Sequence, residues 1–203
     1  MLLNNPNSDE VFVGVDECGR GCLAGPVVAA AVVWNPMTTG QQVAEICDSK
    51  KITSKTRREI LAEFIRENAI DYAISFVGNE KIDEINILRA SHKAMLDALS
   101  KLNVNYDHVL VDGNSFPGVP GGTKQHTCIV GGDNKYLCIA AASILAKTAR
   151  DQYMEDLSKM FPGYKWEKNV GYGTKEHMVA IKEHGITPYH RLSFAPCGIS
   201  REI

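Results

Sequence analysis

Four acidic residues stand where the chain changes character. Asp16 and Glu17 close the apolar run 11–15, Asp112 closes the run 108–111, and Asp133 follows Gly131-Gly132 just ahead of an alanine-rich stretch. In α/β sheets the strand ends and the loops after them build the site. With the two runs as neighbouring parallel strands, Asp16 and Asp112 face each other at one end of the sheet. Gathering carboxylates is costly, because each raises the pKa of the next unless a cation neutralises them. Hard oxygen donors without His or Cys suit Mg²⁺ or Mn²⁺ rather than Zn²⁺. Two such ions about 4 Å apart activate a water and stabilise the departing oxygen of a phosphodiester. Each acid alone also has a plainer reading: a turn at Asp112-Gly113, a helix N-cap at Asp133, a solvated pair at Asp16-Glu17. The metal reading rests on all four together.

Beside the first pair lies Gly19-Arg20-Gly21. Glycine lets a backbone approach a ligand and present bare N–H groups, and arginine offers a fork for phosphate. As an isolated motif it is equally a tight turn. The run Gly19-x-Gly21-x-x-x-Gly25 has one residue too many for a dinucleotide fingerprint, and a β-branched run follows it where a helix is required. The stretch 48–58 holds five cations in 11 residues, an electrostatic footprint for phosphates or a solvated helix start. Arg20, Lys50, Lys51 and Lys147 are the candidates for positioning phosphates. Tyr172, flanked by Gly171 and Gly173, is open enough to stack on a sugar or base, or packs on its own domain. His190, Arg191 and Ser193 receive no role from the sequence.

These residues need a scaffold. The apolar runs 11–16 and 26–34 read as strands, as do 72–77, 108–111 and 127–130. Helical spacing covers 53–69, a long stretch 82–102, the alanine-rich 137–160, and 175–184. The small residues at 140–146 would let that helix lie close against a sheet. The pattern predicts one α/β domain over 1–203, a mixed sheet flanked by helices. About residues 1–10 form a flexible lead, and about 160–203 a helical and loop part carrying Tyr172. Lys+Arg number 22 and Asp+Glu 24, a formal charge of −2. That excludes a protein that coats nucleic acid by bulk charge, but not a nuclease with a local basic patch. There is no membrane-length apolar run and no apolar signal core at the N-terminus, and the six cysteines form no C-x-x-C pair. The expectation is a cytoplasmic protein with reduced thiols.

In order along the chain, the blocks GVDECGRGCLAGPVVAAAV at 14–32, DSKKIT at 48–53, IDEINILRA at 82–90, VDGN at 111–114, GDNKYLCIAAASILAKTARD at 132–151, GYGTKEH at 171–177 and HRLSF at 190–194 resemble ribonuclease HII, the type 2 ribonuclease H family. The resemblance implies a ribonuclease H-like mixed sheet flanked by helices, with a helical C-terminal part. It implies Mg²⁺ or Mn²⁺ held by Asp16, Glu17, Asp112 and Asp133, a ribonucleotide-sensing loop at Gly19, Arg20 and Gly21, and a stacking tyrosine at Tyr172. The implied substrates are RNA–DNA hybrids and duplex DNA with embedded ribonucleotides, cut to 3′-hydroxyl and 5′-phosphate ends. No membrane and no obligate protein partner are implied. Such an enzyme must sense the 2′-hydroxyl. Glycine at 19 and 21 would let backbone groups reach it where a side chain would block the approach. The chain departs from the pattern at Cys18, usually small and apolar, at Gly131, usually lysine, and at Cys138, usually serine. Gly131 removes one phosphate contact. The expectation is therefore a ribonuclease HII without a clamp-binding tail rather than a ribonuclease HIII, which carries an extra domain before the part that matches from residue 11.

Overall fold

β-Branched runs broken by glycine set the first half of the molecule. The computed structural model describes residues 2–3, 10–122 and 124–198, so most of the expected N-terminal lead lies outside the described residues. Strands β1 (Phe12–Cys18) and β2 (Val27–Val33) pair antiparallel through the loop that carries Gly19-Arg20-Gly21. Strand β3 (Asp71–Val77) adds antiparallel to β2. Strands β4 (His108–Asp112) and β5 (Gln125–Ile129) extend the sheet in parallel beyond β1, giving the order β3-β2-β1-β4-β5. The helices are α1 (Gln41–Glu45), α2 (Lys55–Asn68), α3 (Asn79–Ile85), α4 (Ile87–Leu99), α5 (Leu137–Met160), α6 (Trp166–Asn169) and α7 (Lys175–His184). This is the mixed sheet flanked by helices expected from the sequence.

Both sheet faces are covered, so alternate residues of one strand enter different cores. Phe12 of β1, Val28, Ala30 and Val32 of β2 and Leu110 of β4 pack with α2 and α5. Val13, Val15, Val27, Ala29, Ala31, Val109 and Val111 pack with α4 on the other face. Each fully buried Val, Leu or Ile contributes roughly 1.5–3 kcal/mol, so these apolar layers hold the strands in place against repulsion at their charged ends. The small residues of α5 serve as expected. Ala140, Ala141, Ala142 and Ala146 are fully buried, and a Cβ at Gly14 would lie 2.3 and 2.4 Å from backbone atoms of Cys138 and Ile139. The helix start therefore touches the strand backbone directly.

The stretch 82–102, expected as one helix, is two. Asn86 adopts φ 68°, ends α3, and caps α4 by accepting a hydrogen bond from the Arg89 amide. Asparagine tolerates the left-handed conformation and supplies the cap, so its preference overrides the apolar periodicity around it. The bounds of α5 and α7 agree with the sequence reading. All six cysteines are free thiols. Among the described residues no helix is long and apolar enough to cross a membrane.

Candidate active site

Val15 of β1 lies opposite Val111 of β4 in the parallel register, so the next residues, Asp16 and Asp112, emerge side by side. Strand alternation sends both toward α5. Asp133 reaches them from a short 3₁₀ turn, Gly132–Asn134, between β5 and α5. Gly131 enters this turn at φ 65°, a left-handed conformation that favours glycine, and Gly132 packs against the side chain of Ile139. One carboxylate oxygen from each of Asp16, Asp112 and Asp133 lies within 4.8 Å of the others.

Glu17 is not part of this trio. As the next residue of β1 it points to the opposite face, where it accepts a hydrogen bond from Arg20 at 3.3 Å. It still borders the trio, because Glu17, Arg20 and Asp112 line one small pocket with Ser91 and His92 of α4 and Asn114 and Ser115 after β4. The four acids thus form a trio on one face and a flanking glutamate on the other.

The cluster carries a charge problem that the chain leaves open. Burial pushes the Asp16 carboxyl well above the usual carboxylate range, and the charges of Glu17 and Asp112 push it further. Burial likewise raises Asp133, with help from Asp112 and Asp48. Glu17 is raised by burial even though Arg20 pulls the other way. Local donors compensate in part. Asp16 accepts the Glu17 amide at 2.7 Å and a hydrogen bond from Ser143, whose hydroxyl lies 3.0 Å from that of Ser49. Asp112 accepts the Gly132 amide at 2.7 Å, and Asp133 accepts the Asn134 amide group at 2.8 Å. Three hard carboxylates crowded together, with Asp16 and Asp133 pushed up by burial and by neighbouring charge, fit a divalent cation, which would remove the repulsion and compete with the protons.

The four candidate phosphate contacts separate. Arg20 is exposed apart from Glu17. Lys50 faces the cluster: burial lowers its pKa, but Asp48, Asp16, Asp133 and Asp112 outweigh that and raise it. Lys51 hydrogen-bonds Asn134, and Lys147 pairs with Asp151 at 2.7 Å, an acid that Arg58 also reaches. Lys147 and Asp151 meet because residues four apart share one helix face.

The Gly19–Gly21 loop is held from below by two arginines that the sequence left without a role. Arg150 of α5 donates to the carbonyls of Pro26, Ala24 and Val170 at 2.9, 3.1 and 2.8 Å. Arg191 donates to those of Gly25, Arg20 and Gly19 at 3.0, 2.8 and 2.7 Å. Gly19, at φ +89°, meets a steric demand of the fold itself, since a Cβ there would sit 2.1 Å from Nε of Arg150. Gly21 differs. Its Cβ would meet nothing nearer than Cε1 of Tyr172 at 4.0 Å, so this glycine opens a gap toward the tyrosine. Tyr172 is 42% exposed, is joined to Cys22 by an antiparallel bridge, and is pushed up to about 12 by burial, so its hydroxyl stays protonated. The signal for the arginines was weak: a cation within an apolar helix and another in a proline-bounded segment. Cys18 and Cys138 sit in the core between β1 and α5, where their size is what matters. Gly131 faces open space in its left-handed conformation.

This fold recurs in the crystal structure of the ribonuclease H2 from Pyrococcus horikoshii OT3, with a TM-score of 0.75 at 24% identity, covering 94% of this chain and 97% of that one. That likeness shows the fold, with the acid cluster at its strand ends. The family model described as Ribonuclease HII matches residues 13–197. A ribonuclease HII from Bacteroides thetaiotaomicron is 51% identical over 197 residues, covering 96% of this chain and 94% of the relative. Another from Christiangramia forsetii is 50% identical over 193 residues, covering 95% and 94%. The chain belongs to the ribonuclease HII family. It is a ribonuclease H, an enzyme that acts on nucleic acid with divalent metal.

Proposed function

We propose that this enzyme hydrolyses the RNA strand of RNA–DNA hybrids and cuts at single ribonucleotides embedded in duplex DNA, leaving 3′-hydroxyl and 5′-phosphate ends. The observation that carries the reading is the trio Asp16, Asp112 and Asp133 within 4.8 Å, next to a glycine loop that opens onto an exposed tyrosine. Asp16, Asp112 and Asp133, with Glu17 at the rim, would hold Mg²⁺ or Mn²⁺. When bound, two such ions supply positive charge that eases deprotonation of the attacking water and offsets charge on the departing O3′. The chain does the rest. Ser143 and the Glu17 amide orient the Asp16 carboxylate, and the Gly132 amide orients Asp112. Arg20 and Lys50 neutralise phosphates on either side of the trio. Lys51 and Lys147, which have partners within the chain, brace the surroundings. The loop at Gly21 approaches the 2′-hydroxyl while Tyr172 stacks on the neighbouring deoxyribose, so a correctly placed ribonucleotide brings its phosphodiester to the acids.

A DNA duplex with one ribonucleotide tests this, beside an all-DNA duplex and a long hybrid, in Mg²⁺ and in Mn²⁺. Cleavage of the first and third, with the second intact, is the expected pattern. Equal cutting of the all-DNA duplex would show a nuclease blind to the 2′-hydroxyl. Binding without turnover in either metal would show a silent hybrid-binding module.

A further inference from the structure

His177 and His190 are buried outside the acid cluster, yet their hydrogen bonds end on Tyr172. Their proton positions follow from their partners. The Thr187 amide can only donate, so Nδ1 of His190, 2.9 Å away, accepts and a neutral ring keeps its proton on Nε2. The Trp166 indole can only donate, so Nε2 of His177, 3.1 Å away, accepts. The Tyr172 carbonyl can only accept, so Nδ1 of His177 carries the proton that reaches it at 2.9 Å. One sense is left for the contact between the rings: Nε2–H of His190 donates to Nε2 of His177 at 3.1 Å. The donors therefore run in one direction, from Thr187 through both imidazoles to the tyrosine backbone. Tyr164 and Trp166 close around the pair edge-on and tilted.

Tyr172 is the exposed end of this buried chain, and its bridge to Cys22 places it directly after Gly21. An aromatic on a free loop samples many positions, whereas one whose carbonyl is gripped by a buried donor does not. We infer that His177 and His190 form a positioning relay that fixes the Tyr172 ring against the Gly19–Gly21 loop and so sets the enzyme's grip on the nucleotide beside the scissile phosphodiester. Both are positioning residues, since neither touches the reacting atoms. The inference rests on the reading of Tyr172 as the substrate-facing platform.

The test is a double-variant cycle on a DNA duplex with one ribonucleotide in Mg²⁺, with folding checked by thermal melting. Tyr172→Ala is expected to raise KM about 30-fold, the scale of a lost stacking contact. His177→Gln puts its amide where Nε2 stood and leaves the Tyr172 carbonyl with the Thr174 amide alone, without its buried side-chain donor. It is expected to raise KM about tenfold with kcat within about twofold. His177→Asn, whose amide nitrogen can stand where Nδ1 stood, is expected to return KM to within about threefold of the parent. On the Tyr172→Ala background His177→Gln is expected to add no more than about twofold. A parental KM for His177→Gln, or effects that multiply in the double variant, overturns the relay and leaves the Tyr172 reading intact. A parental KM for Tyr172→Ala overturns that reading. Imidazole nitrogen NMR on the unaltered protein adds a check free of folding defects: Nδ1–H on His177 and Nε2–H on His190 are expected, and the opposite tautomer on His177 overturns the relay.

Discussion

Two sets of buried charge meet at the loop between β1 and β2, and the chain treats them in opposite ways. Asp16 and Asp133, 5% and 4% exposed, crowd together with Asp112, and the charges around them worsen the cost of burial. Arg150 and Arg191, 1% and 0% exposed, have a backbone carbonyl for every guanidinium nitrogen. Burial pushes Arg191 down only to about 10, so it stays charged at neutral pH. One set is matched nitrogen by nitrogen to backbone carbonyls inside the protein and holds the loop. The other keeps an unmet demand for positive charge, which is what a metal site needs. The satisfied cations make the backbone next to the unsatisfied acids rigid.

The comparison breaks most visibly at the acids. Asp112→Asn is expected to lower hybrid cleavage by about 10³-fold or more in a steady-state assay. Asp16→Asn should be as damaging to activity yet stabilise the metal-free protein. A carboxyl whose folded pKa is raised gives stability below its unfolded pKa, and that stability is lost as pH rises through the folded value. At neutral pH the charged Asp16 therefore works against the fold, and the amide should raise the metal-free melting temperature by about 2–5 °C. Added Mg²⁺ should raise the parent's melting temperature more than the variant's.

The arginines should respond in the reverse sense. Arg191→Met leaves three carbonyls without donors, for a loss of about 3–5 kcal/mol in urea unfolding that Mg²⁺ does not repair. Arg191→Lys should recover less than half, because an ammonium cannot serve carbonyls in the plane of a fork.

Slightly smaller is the pH effect of the histidine pair. Burial first, and then His177, hold His190 down to about 4 from 6.5. The stability present above pH 6.5 is lost as pH falls toward 4, by about 3 kcal/mol, because only the unfolded ring takes a proton over that range. Urea titrations at pH 7 and 4 in saturating Mg²⁺, which suppresses the opposing contribution of the acids, would measure it.

The two loop glycines give the finest distinction. Gly19→Ala should cost about 2–3 kcal/mol of stability, since its Cβ strikes Arg150 and its φ is positive. Gly21→Ala should stay within about 0.5 kcal/mol of the parent in stability, yet cut at a single ribonucleotide about tenfold more slowly. Equal stability losses at both positions would remove the distinction between a glycine required by the fold and one required by the substrate.

Much of this was legible in the sequence because it is local. Apolar runs ending in acids marked β1 and β4, and a glycine pair marked the turn that carries Asp133. Small residues marked the face of α5 that meets the sheet. The opposite orientation of Asp16 and Glu17 was also there to be read, since neighbours on a strand face opposite ways. Asn86 was legible only in part: its capping role is local, but a strong apolar stripe ran across it.

By itself, then, the sequence determined which groups could do chemistry and at which strand ends they stand, because alternation and helical spacing depend on near neighbours. Only the tertiary structure decided which charges find partners: Arg191 with Gly19, His177 with Tyr172, Lys147 with Asp151, and, among the described residues, no side chain for the acid trio beyond a few neutral donors and a nearby lysine. Burial and hydrogen-bond satisfaction depend on segments that folding brings together from distant parts of the chain, and no local pattern encodes which carbonyl a buried guanidinium will reach.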